Sequence, residues 1–133
     1  MSVVLTPDEL RRVMGRVSRS HAEKDFQASI VTMARLLGYM AYHTYNSQRS
    51  VPGFPDLVLV GHQRTLFSEL KTTLKPTPEQ AEWLDALSRA GQETYCWYPR
   101  HFDRIHELLH PGWSMPEDAN PADYGVWQCR TNV

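Results

Sequence analysis

Cysteine is scarce in this chain. The two present, Cys96 and Cys129, sit in unrelated contexts and have no metal-ligand spacing. That argues against a disulfide scaffold or a thiolate zinc site and fits a reduced, cytoplasmic setting. Long apolar runs are also missing. None approaches membrane-spanning length, and no apolar stretch follows Met1 as a signal peptide would, so no membrane role is expected. No glycine-rich phosphate loop is present, so neither an NTP-driven reaction nor a nucleotide cofactor is expected. The chain has no excess of positive charge: its formal net charge is −1. Any nucleic-acid binding must therefore rest on local patches. Internal repeats and a second domain are not evident.

What is there suits one globular domain. The 133 residues are 41% apolar and include four Trp, enough for a real core. Charge is uneven. Arg11, Arg12, Arg16, Arg19 and Lys24 crowd the N-terminal part, whereas Glu79, Glu82 and Asp85 make a later helix acidic.

The stretch from Gly53 to Lys71, GFPDLVLVGHQRTLFSELK, organises the rest. Leu57 to Val60 form a continuous apolar run, as in a strand buried on both faces. Gly61 to Arg64 make a turn, and Thr65 to Ser68 resume an extended pattern. Antiparallel pairing about that turn brings Asp56 beside Glu69. Glu69 and Lys71 are two apart in a strand and share a face. Two close carboxylates repel unless a proton or a cation intervenes, and a hard cation such as Mg²⁺ or Mn²⁺ suits oxygen ligands.

Helices and further strands follow from spacing. Thr6 and Pro7 open an N-terminal helix with an apolar stripe of Leu10, Val13, Met14 and Val17. Ser20 to Glu23 read as a capping box for the next helix, with Phe26, Ile30, Met33, Ala34 and Leu37 inward and Gly38 as the stop. Tyr39 to Tyr45 read as a strand containing His43, expected to be a satisfied structural residue. The polar loop from Asn46 to Pro52 places Arg49 and Ser50 where they could touch a phosphate. Thr77, Pro78 and Gln80 open another capped helix, with Ala81, Leu84, Leu87 and Ser88 inward and Trp83 as packing. Lys75, just before that helix, is a candidate phosphate ligand. Glu93 to Tyr98 read as the closing strand. His101 to His110 read as a short helix with Phe102, Ile105, Leu108 and Leu109 inward. Beyond Pro111 no periodicity remains; the expectation is an extended arm packed on the domain or on a partner.

Pro55-Asp56 followed by Glu69-Leu70-Lys71 matches the PD-(D/E)XK nuclease signature. The flanks GFPDLVLV, ELKTTLKPTPEQAEWL and ETYCWYP, with Glu23-Lys24-Asp25-Phe26-Gln27 upstream, resemble the VRR-NUC family over roughly Glu23 to Pro99. The literal Val-Arg-Arg is absent. The resemblance implies an α/β restriction-endonuclease-like core: a central mixed sheet of about four strands flanked by helices. It implies a single nuclease domain over 1–133, with an N-terminal helix over 1–19, the core over 20–110 and an irregular arm over 111–133. Small stand-alone members are common in phages, which would place the protein in the host cytoplasm.

By the same resemblance, Asp56, Glu69, the carbonyl of Leu70 and Glu23 would hold Mg²⁺ or Mn²⁺. Glu23 also has a second reading, as the third residue of its capping box. Lys71 would orient the attacking water or stabilise developing charge. Gln80 would face the scissile phosphate or merely close its box, and Gln27 would support the site or the DNA. The activity implied is hydrolysis of DNA phosphodiester bonds, selective for branched substrates such as Holliday junctions. A homodimer would supply the two active sites that paired nicks require. The alternatives are a flap or end-processing nuclease, a non-specific nickase, or a non-catalytic DNA-binding protein on the same fold.

Overall fold

The computed structural model describes Thr6, residues 23–44 and residues 51–130. The expected N-terminal helix over 1–19, Tyr45, and the loop carrying Arg49 and Ser50 lie outside the described residues.

The first described helix, α1 (Glu23–Leu36), buries Phe26, Ile30, Met33 and Ala34 along one stripe, and Leu37 follows at its end. Strands β1 (Met40–His43), β2 (Leu57–Gly61) and β3 (Arg64–Leu70) form an antiparallel meander. Helix α2 (Pro78–Arg89) then crosses over to β4 (Glu93–Trp97), which pairs parallel to β3. The sheet order is β1-β2-β3-β4. A short 3₁₀ turn leads into α3 (Phe102–Leu108). The fold is thus mixed α/β, a four-stranded mixed sheet flanked by helices.

Strand alternation divides the sheet into two faces. Leu57, Leu59, Leu66, Leu70, Tyr95 and Trp97 join the apolar stripe of α1 and Ile105, Leu108 and Leu109 in one core. Phe67, Glu69 and Cys96 point the other way, toward α2. That helix buries Ala81, Leu84 and Asp85. Leu87 and Ser88, expected inward, are only half-buried, and the acidic Asp85 takes an inward place.

The β2–β3 turn is tight. His62 and Gln63 both adopt positive φ, 52° and 62°, the geometry of a two-residue type I′ hairpin. His62 offsets that strain by donating from Nε2 to the Leu37 carbonyl at 2.7 Å and stacking edge-on with Tyr39. Arg64 closes the turn with a bidentate pair to Glu93, at 2.8 and 2.7 Å.

The C-terminal arm docks on this domain. Val126 bridges Tyr95, Cys96 N–H donates to the Gly125 carbonyl at 2.8 Å, and Trp127 N–H donates to the Thr94 carbonyl at 2.9 Å. The arm therefore shields the outer edge of β4. Gly125, at φ +71°, lies so close to Trp97 that a Cβ would come within 2.5 Å of the indole. Asp85 anchors the arm. It accepts from Trp127 Nε1 at 2.7 Å and from Arg130 Nε at 2.8 Å. Burial alone would raise this carboxyl, but those hydrogen bonds outweigh it and hold it below its usual value.

Candidate active site

Asp56 is placed by the turn before it. Gly53 has φ +94°, and a Cβ there would meet the backbone of Glu79 at 2.6 Å. Only glycine lets this loop lie on the first turn of α2. Phe54 then packs edge-on against Trp83 and Phe67, at 5.1 and 6.3 Å between centroids. Trp83 is accordingly a packing residue. Asp56 is held twice: Thr44 N–H donates to its carbonyl at 3.2 Å, and Leu70 N–H donates to Oδ2 at 3.0 Å.

The β2–β3 register pairs Leu57 with Ser68, so one further step sets Asp56 against Glu69. Glu69 is 1% exposed. Among the described residues, neither of its side-chain oxygens accepts a hydrogen bond. Burying an unpaired carboxylate costs several kcal/mol. The Lys71 ammonium lies 3.4 Å from Oε2, an electrostatic contact rather than an aligned hydrogen bond. At an effective dielectric of ~20 that attraction is of order a few kcal/mol. Burial and the charge of Asp56 outweigh it: the Glu69 carboxyl is pushed up to about 8. A proton is one way to settle this carboxylate. A hard cation shared with Asp56 is the other, and the two orphaned, buried oxygens suit it.

The surroundings add positive charge. Cys96, the register partner of Glu69, is buried, and its thiol is pushed up to about 12 by burial and by Glu69. Tyr98 follows on the same face, with the Arg100 guanidinium 4.4 Å from its ring centroid. Lys75 is exposed on the loop entering α2, and Arg130 stands across from it. Sequence reading singled out Lys75 but missed Arg100, Tyr98, Trp127 and Arg130. Tyr98 and Arg100 flank the closing strand's Pro99, where only the strand itself gave a signal; the arm was expected to pack on the domain or on a partner, but nothing placed Trp127 or Arg130 at this point of it.

The remaining candidates are distributed unevenly. Gln27 Nε2 donates to His43 Nδ1 at 3.1 Å, and His43 pairs with Leu57, next to Asp56. This bond ties α1 to the strand ends beside the carboxylates. Glu23 begins α1 one turn before Gln27; its side chain lies outside the described residues, as do Arg49 and Ser50. Gln80 closes its capping box: its Oε1 accepts from Thr77 N–H at 2.8 Å, and Thr77 Oγ1 accepts from Gln80 N–H at 3.3 Å. Its side-chain oxygen is thereby occupied with capping. No group of three or more His, Cys, Asp or Glu gathers among the described residues; Asp56 and Glu69 stand as a pair. No helix among the described residues is long and apolar enough to cross a membrane.

Comparison with protein-family models gives no match for this chain, and comparison with curated proteins gives no significant one.

Proposed function

We propose that the protein is a Mg²⁺- or Mn²⁺-dependent DNA endonuclease with a restriction-endonuclease-like core of the VRR-NUC kind. The observation that carries this reading is the buried Glu69 carboxylate, without a hydrogen bond among the described residues and set against Asp56, with Lys71 alongside. A purely structural acid in that position would be matched by donors, as Asp85 is.

Asp56 and Glu69, with the Leu70 carbonyl and Glu23, would hold the cation; when bound, it polarises a phosphate oxygen and acidifies water. Leu70 N–H fixes the Asp56 carboxylate, so its orientation is set before substrate arrives. Lys71 orients the attacking water and stabilises charge developing on the phosphate. Lys75, Arg100 and Arg130 provide the local positive patch that a chain of net charge −1 needs in order to hold a phosphodiester backbone. The partner is branched DNA, and a homodimer supplies two sites for paired nicks.

The test is cleavage of matched four-way junction, flap, single-stranded and duplex oligonucleotides with Mg²⁺ or Mn²⁺. Cutting of the junction above the others supports the resolvase reading. Preference for the flap or for no structure moves the protein to end-processing or nicking, and no cutting of any substrate sinks the nuclease reading.

A further inference from the structure

Beside Glu69 the α2 face opens into a cleft of about 430 Å³. Cys96, the register partner of Glu69 on the neighbouring strand, lines it, so the cleft lies one strand over from Glu69. Its aromatic lining is Tyr98 and Trp127, with Pro76 beside them and Lys75 and Arg130 as its cations. The rings are held by their polar ends. Tyr98 donates its hydroxyl to the Leu74 carbonyl at 2.9 Å, and Trp127 donates Nε1 to Asp85 at 2.7 Å. Asp85 also takes Arg130 Nε, which leaves the terminal guanidinium nitrogens with no hydrogen bond to the described residues. Lys75 has no ion pair among them.

Pre-set aromatic surface next to an ammonium unpaired among the described residues, Lys75, and a guanidinium whose terminal nitrogens remain open, Arg130, is the chemistry that recognises a planar base carrying a phosphate. We propose that this cleft seats one unpaired nucleotide of a DNA strand, its base against Tyr98 and Trp127 and its phosphate between Lys75 and Arg130. The inference rests on the DNA reading above and narrows it: the preferred substrate has a single-stranded nucleotide next to the bond to be cut. It also gives the C-terminal arm a role, since Trp127 and Arg130 reach the cleft because the arm is bonded to β4 and to Asp85. Stacking of this kind tolerates any base, so the cleft selects strand structure rather than sequence.

The experiment is a binding titration in EDTA at low salt, with a labelled eight-nucleotide thymidine strand and the same strand carrying one abasic position. The wild-type protein is expected to bind the intact strand about tenfold more tightly than the abasic one, the scale of one base–aromatic contact. Trp127→Ala is expected to bind the intact strand about tenfold more weakly and to lose the discrimination against the abasic strand. Tyr98→Leu carries the same comparison should Trp127→Ala fail to fold, as judged by thermal melting. Thymidine monophosphate in excess is expected to compete, and inorganic phosphate alone is not. Full abasic discrimination in both variants, competition by inorganic phosphate as strong as by the nucleotide, or no strand binding at all overturns the proposal. Because the readout needs neither metal nor cleavage, it separates from the nuclease reading. A protein that binds in this way but never cuts sinks only the latter. One that cuts but ignores the missing base sinks only the cleft.

Discussion

The ammonium of Lys71 lies 3.4 Å from Oε2 of Glu69, a carboxylate that accepts no hydrogen bond among the described residues. Between them in sequence, Leu70 turns its N–H to Asp56. Two successive residues, Leu70 and Lys71, thus serve one pair of acids. Lys71 is 13% exposed, so its charge is directed at the site more than at bulk solvent. Lys71→Ala is expected to keep DNA affinity in Ca²⁺ and to lose cleavage in Mg²⁺ by at least ~100-fold, the effect of removing one group that stabilises a transition state. Lys75→Ala is expected to show mainly weaker binding and a salt slope reduced by about one unit. Weaker binding by Lys71→Ala with an unchanged saturated rate would remove it from the chemistry.

Glu69 makes stability depend on pH. Its folded-state value is about 8 against an ordinary 4.5. Between those values the folded protein holds a proton that the unfolded chain has released, so metal-free stability falls as pH rises through that window. The penalty is absent below about pH 4.5 and complete above about pH 8, where it amounts to a few kcal/mol. Glu69→Gln is expected to flatten the fall, and Mg²⁺ is expected to stabilise the wild type more at pH 8 than at pH 5, because cation and proton compete for the same oxygens. Chemical denaturation at both pH values checks this; a metal effect equal at both contradicts it.

Much of this arrangement was legible in the sequence, because it is local. The apolar run from Leu57 to Val60 is buried on one face rather than on both, with Leu57 and Leu59 inside and Val60 46% exposed. With the turn at His62 and Gln63 it still fixes the hairpin register, and the register alone sets Asp56 against Glu69. The stripe from Phe26 to Leu37 was equally plain from helical spacing. Asp85 was not. On its helix it reads as one more solvated acid, and only the donors of Trp127 and Arg130, over forty residues later, make its burial tolerable. The arm carries no periodicity of its own, so its docking beside β4, and the cleft that docking completes, could not be read from local pattern. Gln80 showed both of its readings in advance; the structure displays the capping bonds.

Glu23 separates capping from chemistry. It begins α1 one turn before Gln27, which is bonded to the strand bearing His43. If Glu23 completes the cation's ligands, Glu23→Gln is expected to lose most cleavage with little change in melting temperature. A capping role predicts the reverse: cleavage kept, and a stability cost of about 1 kcal/mol or less.

Among the described residues β1 is an edge strand of the sheet, which bears on assembly. Met40 and Tyr42 on β1 are 77% and 64% exposed, and Val60 beside them is 46% exposed. An apolar patch on an edge strand favours pairing with another chain. A homodimer at micromolar concentration is expected by light scattering, with Met40→Lys plus Tyr42→Lys shifting it toward monomer. A wild-type monomer that still resolves junctions contradicts the dimer.

In the proposed reaction Asp56 and Glu69 act together through a divalent cation on DNA. Asp56→Asn is the sharpest variant, because asparagine keeps an acceptor for Leu70 N–H while removing the charge. The measurement is nicking of supercoiled plasmid by wild type and Asp56→Asn, in EDTA and after adding back Mg²⁺ or Mn²⁺. Nicking by the wild type only with metal, and loss of at least ~100-fold in folded Asp56→Asn, is the predicted result. Nicking in EDTA, or equal nicking by both proteins, contradicts it.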